Sequence, residues 1–397
     1  MIVPRPLTVL PAPADPDAVL HTVLPAVRAA LDGSAPLAVL PSGPAAAAAR
    51  EVLAPHEPLE DGADLVVVTS GSTGGGRGVL LPAPALRASA TATHDRLGGP
   101  GTWLLALPVS AVAGLQVLVR SVLAGTVPTV LAPGEPLAAA VARTGGQRRY
   151  TAVVPTQLRR YLDAEPAALR AFDAVLVGGA AADPALLARA REAGVAVVTT
   201  YGTTETSGGC VYDGVPLDGV RVRVDERGIA LAGPVLAQGY RRDPEGTAAA
   251  FAGGEFRTRD AGTVDAHGRL TVTGRLDDVV VTGGVNVAPQ AVEGVLRAHP
   301  DVDDAVVFGR PDEEWGQRVV AAVVPRDGAD PELAALRSWV AGRLGAPSAP
   351  RELHLVDAVP TLHTGKPDRR GVATLVDGPP AGAGRGRARG GGHGGPP

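Results

Sequence analysis

Short apolar, β-branched runs alternate with helical segments along the first half of the chain. "ADLVVVTSGSTGGG" is a buried run entering a glycine-rich turn, and "ALRASATATHDRLG" after it predicts a helix. "GTWLLALPV" predicts a strand and "AGLQVLVRSVLAG" a helix, and "YTAVVPTQLRRYLD", "FDAVLVGGAAADPALLARAREAG" and "VAVVTTYGTTET" repeat the alternation. Upstream, "DPDAVLHTVLPAVRAALDG" carries a helical pattern and "APLAVLPSG" is a short apolar run. This alternation predicts an α/β fold with mainly parallel sheets. From about residue 215 the period drops to two, in "GVRVRVDERGIALAG" and "GEFRTRDAGTVDAHGRLTVTGRLDD". Gly and Asp-x-x-Gly turns split these runs, which predicts an antiparallel β subdomain.

After Asp277 the order reads strand, helix, strand, strand, and "DPELAALRSWVAGRLG" adds a helix. That predicts a small α+β domain of roughly 100 residues. The expected organisation is a large domain over residues 1–276, a small C-terminal domain over 277–376 and a tail over 377–397. The Gly/Pro/Arg-rich tail is expected to be disordered and without a function of its own.

Composition narrows the function classes. The 397 residues are 45% hydrophobic and 20% charged, as in a globular protein with a real core. The net charge of −4 gives no global field for nucleic acid or an anionic membrane. The one cysteine, Cys210, excludes an internal disulfide and a Cys-based zinc site, which fits a reducing cytoplasm. Prolines interrupt the N-terminal apolar run where a signal peptide would be continuous. No apolar run reaches the roughly 18 residues that would insert into a membrane. Lys and Arg total 37, yet Lys366, in "TLHTGKPDRRGV", is the only lysine. A composition that avoids lysine makes this one informative.

Residues 69–78, "TSGSTGGGRG", leave a strand and are expected to lead into a helix. Successive Gly, Ser and Thr residues let backbone N–H groups and hydroxyls converge on a phosphate. The spacing is neither that of a Walker loop nor that of a nucleophile elbow.

The loop resembles the phosphate loop of the adenylate-forming superfamily of acyl-CoA synthetases, luciferases and adenylation domains. That resemblance gives Thr69, Ser70, Gly71, Ser72, Thr73, Gly74 and Arg77 to ATP phosphates, with Gly76 and Arg77 standing where the family carries Pro and Lys. Further motifs follow in family order. "VGGAAAD" places Gly179 and Ala180 against adenine, and "YGTTET" places Tyr201 and Gly202 there too. In the same segment the family's Thr meets the α-phosphate and its Glu holds Mg²⁺, roles that fall on Thr204 and Glu205. "FRTRDAG" and "GRLDD" give Asp260 and Arg275 to the ribose and Asp277 to an interdomain hinge. "VVTGGVN" gives Gly283 and Gly284 to the pantetheine of coenzyme A.

The implied reaction has two halves. A carboxylate attacks the α-phosphorus of ATP and pyrophosphate leaves; a thiol then attacks the acyl-adenylate carbonyl and AMP leaves. The resemblance makes Lys366 the lysine of the first half alone. A compact ammonium between the carboxylate and phosphate oxygens offsets their repulsion better than a planar guanidinium.

Within the superfamily the chain is most similar to the o-succinylbenzoate–CoA ligases of menaquinone biosynthesis. Only 68 residues precede Thr69, and "LLALPVSAVAGLQVLVRS" and "TYGTTETSGGCVYDGVPLDGV" carry the likeness. Ser207, Gly208 and Gly209 lack bulk, which leaves room for a flat aromatic ring. Ala111 stands where relatives carry a His by the acyl pocket and the thiol route. Arg120, Arg148 and Arg149 are candidates for the second carboxylate of a diacid, while His94 and His363 are expected at the surface. Other readings stay open at this point: another aryl or acyl acid, transfer to a carrier protein, or a decayed nucleotide-binding homologue. The implied partners are a small carboxylic acid, ATP and coenzyme A, and a homodimer is compatible with the resemblance.

Overall fold

The computed structural model describes residues 5–69, 76–360 and 368–377. Its mixed α/β architecture falls into two compact units, one ending at Val279 and the other beginning at Val280.

Two open sheets with mainly parallel strands carry the large unit. The first has five strands in the order Thr8–Pro11, Leu37–Leu40, Leu65–Thr69, Arg77–Leu81, Gly239–Tyr240. Its first three strands are parallel and the last two pairings antiparallel. The second has seven strands, in the order Val215–Pro216, Gly208–Tyr212, Val197–Thr203, Ala174–Val177, Arg149–Val153, Thr102–Leu105, Thr129–Val130. From Val197–Thr203 outward to Thr129–Val130 every pairing is parallel. All four residues of Leu37–Leu40 and of Ala174–Val177 are buried, as expected of strands covered on both faces. Helices Ala83–Arg96 and Val112–Ala124 pack together; the second is buried continuously from Gly114 to Ser121, while the first exposes a stripe at Pro84, Arg87, Thr91 and Asp95. Trp103, Tyr150 and Tyr212 are the bulkiest fully buried side chains, and the Trp103 and Tyr150 rings lie 5.1 Å apart.

The antiparallel part expected after residue 215 is present as a four-stranded sheet and the hairpin Asp260–Val264/Leu270–Arg275. One local expectation fails. The glycine-rich segment does not lead into a helix: it joins the antiparallel strands Leu65–Thr69 and Arg77–Leu81, and the helix starts only at Ala83. The short run "RGVLL" abuts Pro82, so a strand of five residues was hidden between loop and helix.

The small unit opens with a tight hairpin, Val280–Thr282/Val285–Val287, where one strand was expected. Helix Pro289–Arg297 follows, then the long hairpin Val302–Asp312/Gly316–Pro325, helix Leu333–Leu344, strand Glu352–Leu355 and helix Arg369–Asp377. Val292 and Leu296 bury one face of the first helix against Val307, Val319 and Val323. The tail over residues 378–397 lies outside the described residues.

Candidate active site

The carboxyl ends of the parallel strands of an open α/β sheet are where such folds bind ligands. Strand Val197–Thr203 delivers Tyr201, Gly202 and Thr203 there, and a short 3-10 turn, Thr204–Thr206, holds Thr204 and Glu205 at its end. The chain then reverses through Ser207 and Gly208 into strand Gly208–Tyr212. A Cβ on Gly202 would sit 2.1 Å from the carbonyl oxygen of Gly208, so the reversal requires glycine there. Gly179, at φ +82°, and Ala180 follow the neighbouring strand Ala174–Val177.

Two side-chain networks meet these elements. Tyr201 donates to Asp260 Oδ2 at 2.7 Å, and Arg275 reaches Asp260 Oδ1 at 3.4 Å. Asp260 and Arg275 are register partners across their hairpin, which is why two residues distant in sequence share one place. Arg275 also grips Asp277 with two hydrogen bonds of 2.9 Å. Burial disfavours the Asp277 anion, but the Arg275 hydrogen bonds overcome this and hold its carboxyl below the usual range. In the second network, Tyr240 donates to Glu205 Oε1 at 3.0 Å, and the Arg77 guanidinium lies 4.8 Å from the Tyr240 ring centre. Arg77 also approaches Asp243 at 3.9 Å. Burial, reinforced by Asp260 and Glu205 respectively, pushes the Tyr201 and Tyr240 hydroxyls far above the ordinary phenol value, so both remain donors.

Thr69 and Arg77 face each other at the base of the glycine-rich hairpin, where Thr69 Oγ1 donates to Arg77 O at 3.3 Å. Ser70, Gly71, Ser72, Thr73, Gly74, His363 and Lys366 lie outside the described residues. Ala111 is the N-cap of helix Val112–Ala124, with its carbonyl accepting from Leu115 N–H at 3.0 Å. In the small unit, Gly283 and Gly284 form the hairpin turn at φ +55° and +77°. A Cβ on Gly283 would meet the Trp315 ring at 2.7 Å.

The expectation for His94 is overturned. It is buried, and its Nε2 accepts from Trp103 Nε1 at 3.4 Å. Burial first, then the Arg120 charge, lowers its pKa to about 4, so it is a neutral acceptor. The buried face of its helix also carries Ser89 and Thr93, so polarity alone does not sort buried from exposed positions there.

The three candidate arginines separate clearly. Arg148 is exposed, and Arg149 opens its strand, at the edge opposite the strand's carboxyl end. Arg120 is 4% exposed, lies 4.9 Å from the Trp103 ring centre and reaches Tyr212 Oη at 3.4 Å. Its Nε has no partner and no carboxylate pairs with it among the described residues. Burial pulls its pKa down, opposed by Tyr212.

Sequence reasoning did not single out Tyr240, Trp103 or Gln116, which contact Glu205, Arg120 and Ser207 respectively. The rarity that singled out Lys366 applies to tyrosine too: the chain has five, and Tyr201, Tyr212 and Tyr240 all belong to this region. No set of three His, Cys, Asp or Glu side chains able to hold a metal exists among the described residues.

An open α/β sheet with a Tyr–Thr–Glu turn, an Asp–Arg hairpin pair and a separate small α+β unit defines a nucleotide-dependent acid-activating architecture. The chain belongs to the AMP-binding enzyme family: that family matches residues 12–240, and the AMP-binding enzyme C-terminal domain matches residues 291–366. A protein of Mycobacterium tuberculosis named "Probable 2-succinylbenzoate–CoA ligase" is 49% identical over 360 residues, covering 87% of this chain and 93% of that protein. Among solved structures, the amide bond synthetase McbA of Marinactinospora thermotolerans matches with a TM-score of 0.74 and 29% identity, over 94% of this chain and 90% of that one. The o-succinylbenzoate CoA synthetase of Bacillus subtilis, in complex with its acyl-adenylate intermediate, shares the fold with a TM-score of 0.75 and 24% identity, over 93% and 88% of the two chains. Among the described residues no helix is long and apolar enough to cross a membrane.

Proposed function

We propose that the chain is an AMP-forming 2-succinylbenzoate–CoA ligase. Its substrates are 2-succinylbenzoate, ATP and coenzyme A, and its compartment is the cytoplasm. The relative at 49% identity supports the substrate, and one structural observation supports it independently: the buried Arg120 guanidinium without an anion. A desolvated, uncompensated cation is costly. It makes chemical sense if the substrate brings a carboxylate besides the one that is activated, and 2-succinylbenzoate is such a diacid.

In this reading Tyr201 and Gly179–Ala180 bound the adenine, and the Asp260 carboxylate accepts from the ribose hydroxyls with Arg275 holding it in place. Thr204 and the glycine-rich loop, with Arg77, receive the phosphates. Glu205 is the single hard-oxygen ligand offered to Mg²⁺, and Tyr240 orients it. When bound, the ion would neutralise charge on the pyrophosphate leaving group. Lys366 is assigned the task of offsetting the repulsion between the incoming carboxylate and the α-phosphate. The P–O bond to the acid forms as the bond to pyrophosphate breaks. Gly283 and Gly284, which have no side chains to obstruct close approach, then border the thiol as it displaces AMP. Asp277, close to the boundary between the units, is assigned to the hinge.

The test is a steady-state comparison of wild type with Arg120→Gln, using 2-succinylbenzoate, ATP and coenzyme A. Loss of a charge-assisted contact predicts a roughly 10- to 100-fold rise in KM for the acid. KM for ATP should stay put. No thioester from wild type, or an unchanged acid KM in the variant, would contradict the reading.

A further inference from the structure

Ser207 is the residue at which the chain turns from the Glu205 segment into the small-residue run expected to border the acid. It is fully buried and held at φ +54°, a left-handed conformation that serine seldom adopts. Such strain persists only where neighbours over-determine it. Three hydrogen bonds do so here. Gln116 Nε2 donates to the Ser207 carbonyl at 2.7 Å, Ser89 Oγ donates to the same oxygen at 3.2 Å, and Ser207 Oγ donates to Val235 O at 2.8 Å. Gly208 continues at φ +95°, and its place for a Cβ lies 3.5 Å from the Gln116 side chain.

Gln116 is an odd choice for stability. It is fully buried in helix Val112–Ala124, between Leu115 and Val117, and its Oε1 has no partner. An unpaired buried acceptor is unfavourable, and an apolar side chain of the same size would avoid it. The Ser207 carbonyl would still be satisfied by Ser89 if Gln116 were removed. The fold therefore does not need this amide to satisfy its backbone.

We infer that Gln116, assisted by Ser89, is a positioning residue for acid activation. It holds the left-handed Ser207 and so fixes the Gly208–Gly209 wall relative to Thr204 and Glu205. This rests on the assignment of that wall to the acid. The role is indirect: Gln116 acts through the Ser207 backbone, and its effect belongs to the acid rather than to the nucleotide.

The test uses the full-length enzyme with 2-succinylbenzoate, ATP and coenzyme A. Gln116→Leu should lower kcat/KM for the acid tenfold or more, leave KM for ATP within twofold, and keep or raise the melting temperature. Adding Ser207→Gly, which accepts the left-handed conformation unaided, should recover at least threefold of the loss. Ser89→Ala should shift the acid parameters in the same direction by less. Unchanged acid kinetics, a matching loss toward ATP, or a loss that tracks a lowered melting temperature without rescue by glycine would each overturn the inference. A wild type inactive on 2-succinylbenzoate overturns the proposed function; an active wild type with an unaffected Gln116→Leu overturns this inference alone.

Discussion

Two buried arginines show how differently one residue type is used. Arg241 donates to the carbonyls of Leu53, Ala54, Glu57 and Pro58 and pairs with Glu60 at 2.7 Å. Its hydrogen bonds are satisfied by the chain around the end of helix Ala45–Leu53, so it is structural. Arg120 has an aromatic ring, a tyrosine hydroxyl and a spare Nε. Replacing both with Met should therefore give opposite results in urea unfolding. Arg241→Met should cost at least about 3 kcal/mol, because it removes the cation facing Glu60 and the donors to a buried cluster of carbonyls. Arg120→Met should be neutral or stabilising while abolishing tight binding of the acid. His94 adds a pH signature. Its folded pKa of about 4 lies below the ordinary 6.5, so between those values the unfolded chain binds more protons. Stability should fall as pH drops through that window, and His94→Gln, which keeps an acceptor for Trp103, should flatten the fall. An equally steep decline in the variant would place the titration elsewhere.

At the scale of elements, glycine geometry decides more than propensity does. A Cβ on Gly76 would sit 2.4 Å from the carbonyl oxygen of Thr69, across the base of the hairpin. Gly76→Pro, which restores the residue common in the family, should therefore impair rather than improve the enzyme, with the main loss in ATP-dependent turnover. A variant at wild-type activity would show that the hairpin base can open. Much of this level was legible in the sequence. The alternation of apolar runs and helices marked the parallel parts of the two large sheets, and the period-two stretch after residue 215 marked the antiparallel part. What stayed hidden has physical causes. A five-residue strand flush against Pro82 merges with the helix that follows it. The buried face of helix Ala83–Arg96 carries Ser89 and Thr93 beside His94, so polarity did not sort buried from exposed positions and His94 read as a surface residue. The motifs singled out Tyr201, Glu205, Asp260 and Arg275 one by one, and the structure joins them in two networks. Tyr240, which joins Glu205 to Arg77, carries no motif and came to light only when distant strands were paired.

At the scale of the whole molecule, the chain divides at Val279/Val280 into units with separate cores. One unit carries the Tyr201–Asp260–Arg275 and Tyr240–Glu205 networks and the other the Gly283–Gly284 hairpin. The sole lysine follows at position 366, at the end of the match to the C-terminal domain. The proposed function assigns Lys366 to the first half of the reaction and the Gly283–Gly284 turn to the second. Lys366→Ala separates them. Two rates are compared with wild type: exchange of labelled pyrophosphate into ATP that depends on 2-succinylbenzoate, and thioester formation from preformed 2-succinylbenzoyl-adenylate and coenzyme A. The account predicts that the first falls by at least about 100-fold, the scale of losing a group that stabilises transition-state charge, while the second stays within a few-fold. An equal loss in both, or exchange that survives without the lysine, would contradict it.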